Sequence, residues 1–130
     1  THAFADRLTA ELSGGERARV MLARVLAGEP DWLLADEPLA SLDPAHQLDM
    51  LARLRGLARV GGGVVVVLHD LTQALRVADD AVLLKDGRVL AEGNADDVLT
   101  PEVLLRAYGV AFRRHGPTLM PVPPAPAPPT

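Results

Sequence analysis

Apolar positions along the chain switch between helical and strand spacing, and each switch marks an element. Ser13 and Glu16 stand at the spacing of a capping box, in which the first and fourth side chains satisfy backbone amides reciprocally. Ala18, Met21, Leu22, Val25 and Leu26 follow at helical spacing, which predicts a helix ending near Gly28 with one apolar face. Pro30-Asp31 breaks the chain, and Trp32 to Ala35 reads as a short buried strand. Asp43-Pro44 starts a second helix with Leu48, Leu51, Ala52, Leu54 and Ala58 on its apolar face, and Gly61-Gly62-Gly63 stops it. Val64 to Leu68 is β-branched and continuously apolar, as expected of a strand covered on both faces. Asp70 caps a third helix carrying Leu71, Ala74, Leu75 and Ala78. Two strands, Ala81 to Leu84 and Arg88 to Ala91, meet through Asp86-Gly87, a strong hairpin signal. Thr100-Pro101 opens a last helix that stops near Gly109. From Gly116 the chain turns proline-rich, which predicts a disordered or polyproline tail over 116–130 after a domain over 1–115.

Strands alternating with helices, then a hairpin, predict an α/β fold with a mainly parallel sheet and flanking helices. Ligands of such sheets sit beyond the carboxyl ends of the strands. Two polar constellations fall there: Asp36-Glu37 after the first strand and His69 after the second. Adjacent carboxylates at a strand end suit a cation and a water, one acid holding the metal near a phosphate and the other orienting or deprotonating the water. An imidazole at His69 suits a hydrogen bond to a terminal phosphate. Leu12-Ser13-Gly14-Gly15-Glu16 places a hydroxyl and glycine amides at a helix N-terminus, where unpaired amides and the helix dipole favour anions. Ser41-Leu42-Asp43 reads either as a helix cap or as a functional turn following Glu37. His2, His46 and His115 have no comparable setting and read as solvated residues.

Composition narrows the classes. The 130 residues suffice for one domain, and 48% are hydrophobic against only 3% aromatic, so the core must be built from Leu, Val and Ala. A net charge of -4 without a basic run argues against a nucleic-acid partner. The absence of cysteine excludes disulfides and thiolate metal sites. The longest apolar run, Val64 to Leu68, is far short of the ~20 residues that span a bilayer. The triple glycine is not a phosphate loop, because such a loop ends in lysine followed by Ser or Thr, and the lone lysine is Lys85. The first residue is Thr1; with no phosphate loop present, we expect a truncated chain.

From about Asp6 to Gly109 the chain resembles the second half of an ATP-binding cassette (ABC) ATPase, a partial phosphate-loop NTPase fold ending in a β-hairpin. Leu12 to Glu16 resembles that family's signature motif, Leu33 to Glu37 its Walker B segment, Ser41-Leu42-Asp43 its D-loop and His69 its switch histidine. Walker A and the glutamine loop are missing. The resemblance implies a head-to-tail dimer in which Ser13, Gly14 and Gly15 contact ATP in trans. Asp36 then serves Mg2+ through water, and Glu37 and His69 act on the nucleotide of their own subunit.

Leu68-His69-Asp70-Leu71, Lys85-Asp86-Gly87-Arg88, Leu99-Thr100-Pro101-Glu102 and Tyr108-Gly109-Val110 resemble more particularly importers of iron-siderophore, haem or cobalamin type. Leu39 stands where threonine is frequent and Ala35 where leucine is usual, both keeping the chemistry. The implied whole is an ATPase on the cytoplasmic face of the membrane, with transmembrane permease subunits and a substrate-binding protein, the present chain alone being inactive. A soluble cassette ATPase acting on ribosome or nucleic acid, and a non-catalytic cassette-derived module, are the competing readings.

Overall fold

A computed structural model describes residues 14–129. The chain divides into two compact units, residues 1–68 and 69–130, each taken by itself below.

The first unit contains helix α1 (Gly14–Leu26), strand β1 (Trp32–Asp36), helix α2 (Pro44–Arg59) and strand β2 (Gly63–Val67). β1 and β2 pair in parallel, with Trp32 opposite Gly63 and Asp36 opposite Val67. Parallel neighbours need a crossover, and α2 supplies it. Asp43 caps α2 and Pro44 occupies its first turn, where the missing N–H costs nothing. At the other end Gly61 takes φ 96, and the amides of Gly61 and Gly62 donate to Ala58 and Leu57 at 3.3 and 3.1 Å. That is the Schellman arrangement, which closes a helix on a left-handed residue. The triple glycine is therefore the helix stop that its composition predicts.

Leu33, Met50 and Leu54 form the core of this unit, with Ala18, Leu22, Leu57, Val64 and Val66 packed against them. Both helices thus lie on one face of the strand pair. Trp32, Leu34, Val65 and Val67 project to the other face, exposed by 67, 75, 49 and 46%. Among the described residues of this unit the valine strand is covered on one face, not on both. Two helix faces also differ from expectation. Met21 and Val25 of α1 and Leu48 of α2 are exposed, whereas Met50 is buried. Met50, Leu51 and Leu54 are the buried residues of α2, and Met50 and Leu54 meet Leu33 with Val64 packed against them where the crossover sets α2 down.

The second unit holds helix α3 (Leu71–Val77), strands β3 (Asp80–Lys85) and β4 (Arg88–Asn94), helices α4 (Ala95–Val98) and α5 (Pro101–Tyr108), and strands β5 (Phe112–His115) and β6 (Thr118–Pro121). β3 and β4 form the expected hairpin, with Asp86 and Gly87 both at positive φ, 52 and 74, as a type I′ turn requires. The core is Leu75, Leu83, Val98, Leu99, Leu104 and Leu119, with Leu104 fully buried. Asp70 caps α3 and Thr100 caps α5 by accepting from Gln73 N at 3.1 Å and Val103 N at 3.3 Å.

Parallel pairing is confined to β1 and β2; the other described strands form two antiparallel hairpins. The second hairpin corrects the expected tail. The stretch from Gly116 to Pro121 is not disordered: β6 pairs with β5, and Leu119 is buried in the core. Gly116 at φ 56 followed by Pro117 has the sign pattern of a type II′ turn, the other connection whose twist suits a two-residue hairpin. Proline at 121 closes the strand at its end, where no ladder amide is needed.

Candidate functional site at the carboxyl end of the parallel strands

β1 and β2 end level, Asp36 opposite Val67, so Asp36-Glu37 and Leu68 leave the strand pair at the same end. Asp36 is the last residue of β1, and Glu37 turns at once into left-handed backbone with φ 49. Ser41 does the same with φ 64. A non-glycine residue held there costs on the order of 1–3 kcal/mol, and such strain concentrates at functional sites. What holds it is visible. Ala40 N donates to Glu37 O and Leu42 N to Leu39 O, both at 3.2 Å. Leu39 and Leu42 pack against the core, and the Gln47 side-chain amide donates to the Leu39 and Leu42 carbonyls at 3.4 and 3.1 Å. The Asp36, Glu37, Ser41 and Asp43 side chains are all exposed beside this braced turn.

Asp43 ends the turn and begins α2. Its Oδ1 accepts from the His46 backbone N–H at 2.9 Å and from His46 Nδ1 at 2.8 Å. Those bonds, the backbone one foremost, hold the Asp43 carboxyl below the usual carboxylate range. His46 is thus not simply solvated. Its ring is 38% exposed and lies against Gly15, so closely that a Cβ at that glycine would overlap the imidazole. The overlooked signal was spacing: a side chain three residues after an N-cap is placed to reach back to it.

Gly14, Gly15 and Glu16 form the first turn of α1, the positive end of the helix dipole. Leu12 and Ser13 of the same segment, and His2, lie outside the described residues. His69 is the first residue of the second unit, exposed and directly before the cap of α3; His115 is exposed in β5. Among the described residues no group of three or more His, Cys, Asp or Glu could hold a metal. An exposed strand-end Asp36 with Glu37 beside it is a one- or two-carboxylate donor set, which fits Mg2+ completed by water and phosphate oxygens. No helix of the described residues is long and apolar enough to cross a membrane.

This arrangement, a parallel strand ending in adjacent carboxylates and a turn running into a capped helix, has close counterparts. The family model described as ABC transporter matches residues 1–40. The hemin import ATP-binding protein HmuV of Roseobacter denitrificans is 48% identical over 122 residues, 88% of this chain and 47% of that protein. The protein of the same name from Rhodococcus jostii is 54% identical over 107 residues, 82% of this chain and 37% of that one. Among solved structures, an inward-facing metal-chelate type ABC transporter superposes with a TM-score of 0.78 at 28% identity, covering 92% of this chain and 49% of that chain. A dimeric bacterial ABC transporter cassette superposes with a TM-score of 0.64 at 38% identity, covering 73% and 41%. The chain belongs to the ATP-binding cassette family of ABC transporter ATPases, with their phosphate-loop NTPase fold. It spans about half the length of the curated relatives it matches.

Proposed function

We propose that this chain forms the second half of the ATPase subunit of an ABC importer for a metal chelate, with haem as the cargo. The observation that carries the chemistry is Glu37, turned out of β1 in left-handed backbone beside the strand-end Asp36. Two relatives, each matched over more than four-fifths of this chain, are named for hemin import, and a metal-chelate transporter shares the fold; these support the cargo.

In this reading the Asp36 carboxylate holds Mg2+ through water. Bound Mg2+ neutralises charge on the phosphates of ATP. Glu37 accepts a hydrogen bond from the attacking water and orients it in line with the terminal phosphate. His69 donates to a terminal phosphate oxygen. Ser13, Gly14 and Gly15, with Leu12 and Glu16 around them, offer hydroxyl and amide donors to the nucleotide of a second subunit, and Ser41-Leu42-Asp43 faces the same dimer partner. ATP binding then closes two subunits head to tail. The assembly sits on the cytoplasmic face of the membrane against permease subunits, fed by a substrate-binding protein.

The test is Glu37→Gln in a full-length cassette whose second half is this sequence. ATP binding should persist while turnover falls by about 100- to 10,000-fold, the usual contribution of a positioned base. Turnover within a few-fold of the parent would remove Glu37 from this role.

A further inference from the structure

His46 belongs to none of the motifs above, yet it touches two of them. A carboxylate only accepts, so the 2.8 Å contact to Asp43 Oδ1 requires a proton on His46 Nδ1. That bond fixes the ring, with its Cδ2–Nε2 edge against Gly15. Only a residue without a Cβ leaves room there, and Gly15 is itself buried. One side chain therefore spans from the residue that ends the strained turn after Glu37 to the first turn of α1. Gln47, the next residue, braces the same turn through the Leu39 and Leu42 carbonyls.

We propose that His46 is a positioning residue that couples the Ser41–Asp43 segment to the Gly14–Glu16 segment, so that the two move as one piece. If the signature amides of one subunit must meet the nucleotide while the turn after Glu37 keeps its own geometry, a rigid link within the subunit sets their spacing. The catalytic half of the inference rests on the proposed function; the mechanical half does not.

The variants are His46→Ala, which removes the link, and His46→Asn, whose side-chain amide nitrogen stands where Nδ1 does and keeps the donor to Asp43. Both are made in the full-length cassette. Hydrogen exchange read by mass spectrometry should quicken in His46→Ala by roughly fivefold, the size of one lost hydrogen bond, at residues 39–43 and over the hydrogen-bonded amides of α1 together. His46→Asn should retain parent protection over residues 39–43. At saturating ATP, kcat of His46→Ala should fall roughly tenfold or more through misplacement, with KM for ATP unchanged, and His46→Asn should recover most of it. Exchange that quickens at one segment only, or at neither, overturns the coupling. Unaltered kcat in His46→Ala, with both segments loosened, overturns the positioning role. A parent cassette that hydrolyses no ATP refutes the functional reading instead, and the exchange result still decides the link.

Discussion

The Thr72 hydroxyl donates to the Leu119 carbonyl at 3.1 Å and accepts the Leu119 amide at 3.0 Å. A side chain of α3 thereby does for β6 what a neighbouring strand would do, satisfying both backbone groups of a residue whose side chain is buried in the core of the second unit. Removing the hydroxyl leaves a half-buried amide and carbonyl without that partner. Thr72→Val should destabilise this unit by about 1–3 kcal/mol, while Thr72→Ser keeps most of the stability. Urea unfolding followed by far-ultraviolet circular dichroism measures both; a loss in Thr72→Ser with none in Thr72→Val would assign the effect to the methyl group instead.

Gln47 donates to two carbonyls of the turn after Glu37, so its amide cannot be exchanged for an acceptor. Gln47→Ala should cost about 0.5–1.5 kcal/mol. Gln47→Glu should cost more at neutral pH, where a carboxylate faces two carbonyl oxygens, and should recover on acidification as the carboxyl regains a proton to donate. The shift of the urea midpoint with pH, compared between the two variants, checks the sign.

The Asp43 carboxyl is held low chiefly by the His46 backbone N–H and then by the His46 side chain. A carboxyl depressed in the folded state contributes stability that is fully present above its unfolded value and is lost as pH falls through its folded value. The first turn of α2 should therefore loosen only in acid below the ordinary aspartate range. The His46 amide resonance, followed by NMR through an acid titration, should move with that late transition. In Asp43→Asn the late transition should be gone.

Trp32 is the single tryptophan of the chain and is 67% exposed on the face it shares with Leu34, Val65 and Val67. Parallel strands are ordinarily covered on both faces. Trp32 fluorescence of the 130-residue chain should be that of a solvated indole and quenched readily by iodide. In a full-length cassette it should shift to shorter wavelength and lose that quenching. Leu34→Lys should lower self-association of the short chain in sedimentation velocity, since it places a charge in the bare apolar face.

The local signals in this sequence determined most of its elements. Caps at Asp43, Asp70 and Thr100, the stop at Gly61 and the Asp86-Gly87 turn act within a few residues, so reading them needs no knowledge of the rest of the chain. The adjacent carboxylates at the end of β1 were legible for the same reason: an apolar run bounded by breakers reports its own end. Only tertiary packing decided which helix face is buried. Leu48 and Met50 are both apolar at neighbouring positions, and the choice of Met50 follows from where α2 is laid against Leu33. Tertiary contact also decided the fate of the proline-rich end, because Leu119 gains a core and Thr72 supplies its bonds from 47 residues away. The His46 link was invisible for that reason as well. Its Asp43 bond is local, but its seat on Gly15 exists only once α1 and α2 pack on the same face of the strand pair.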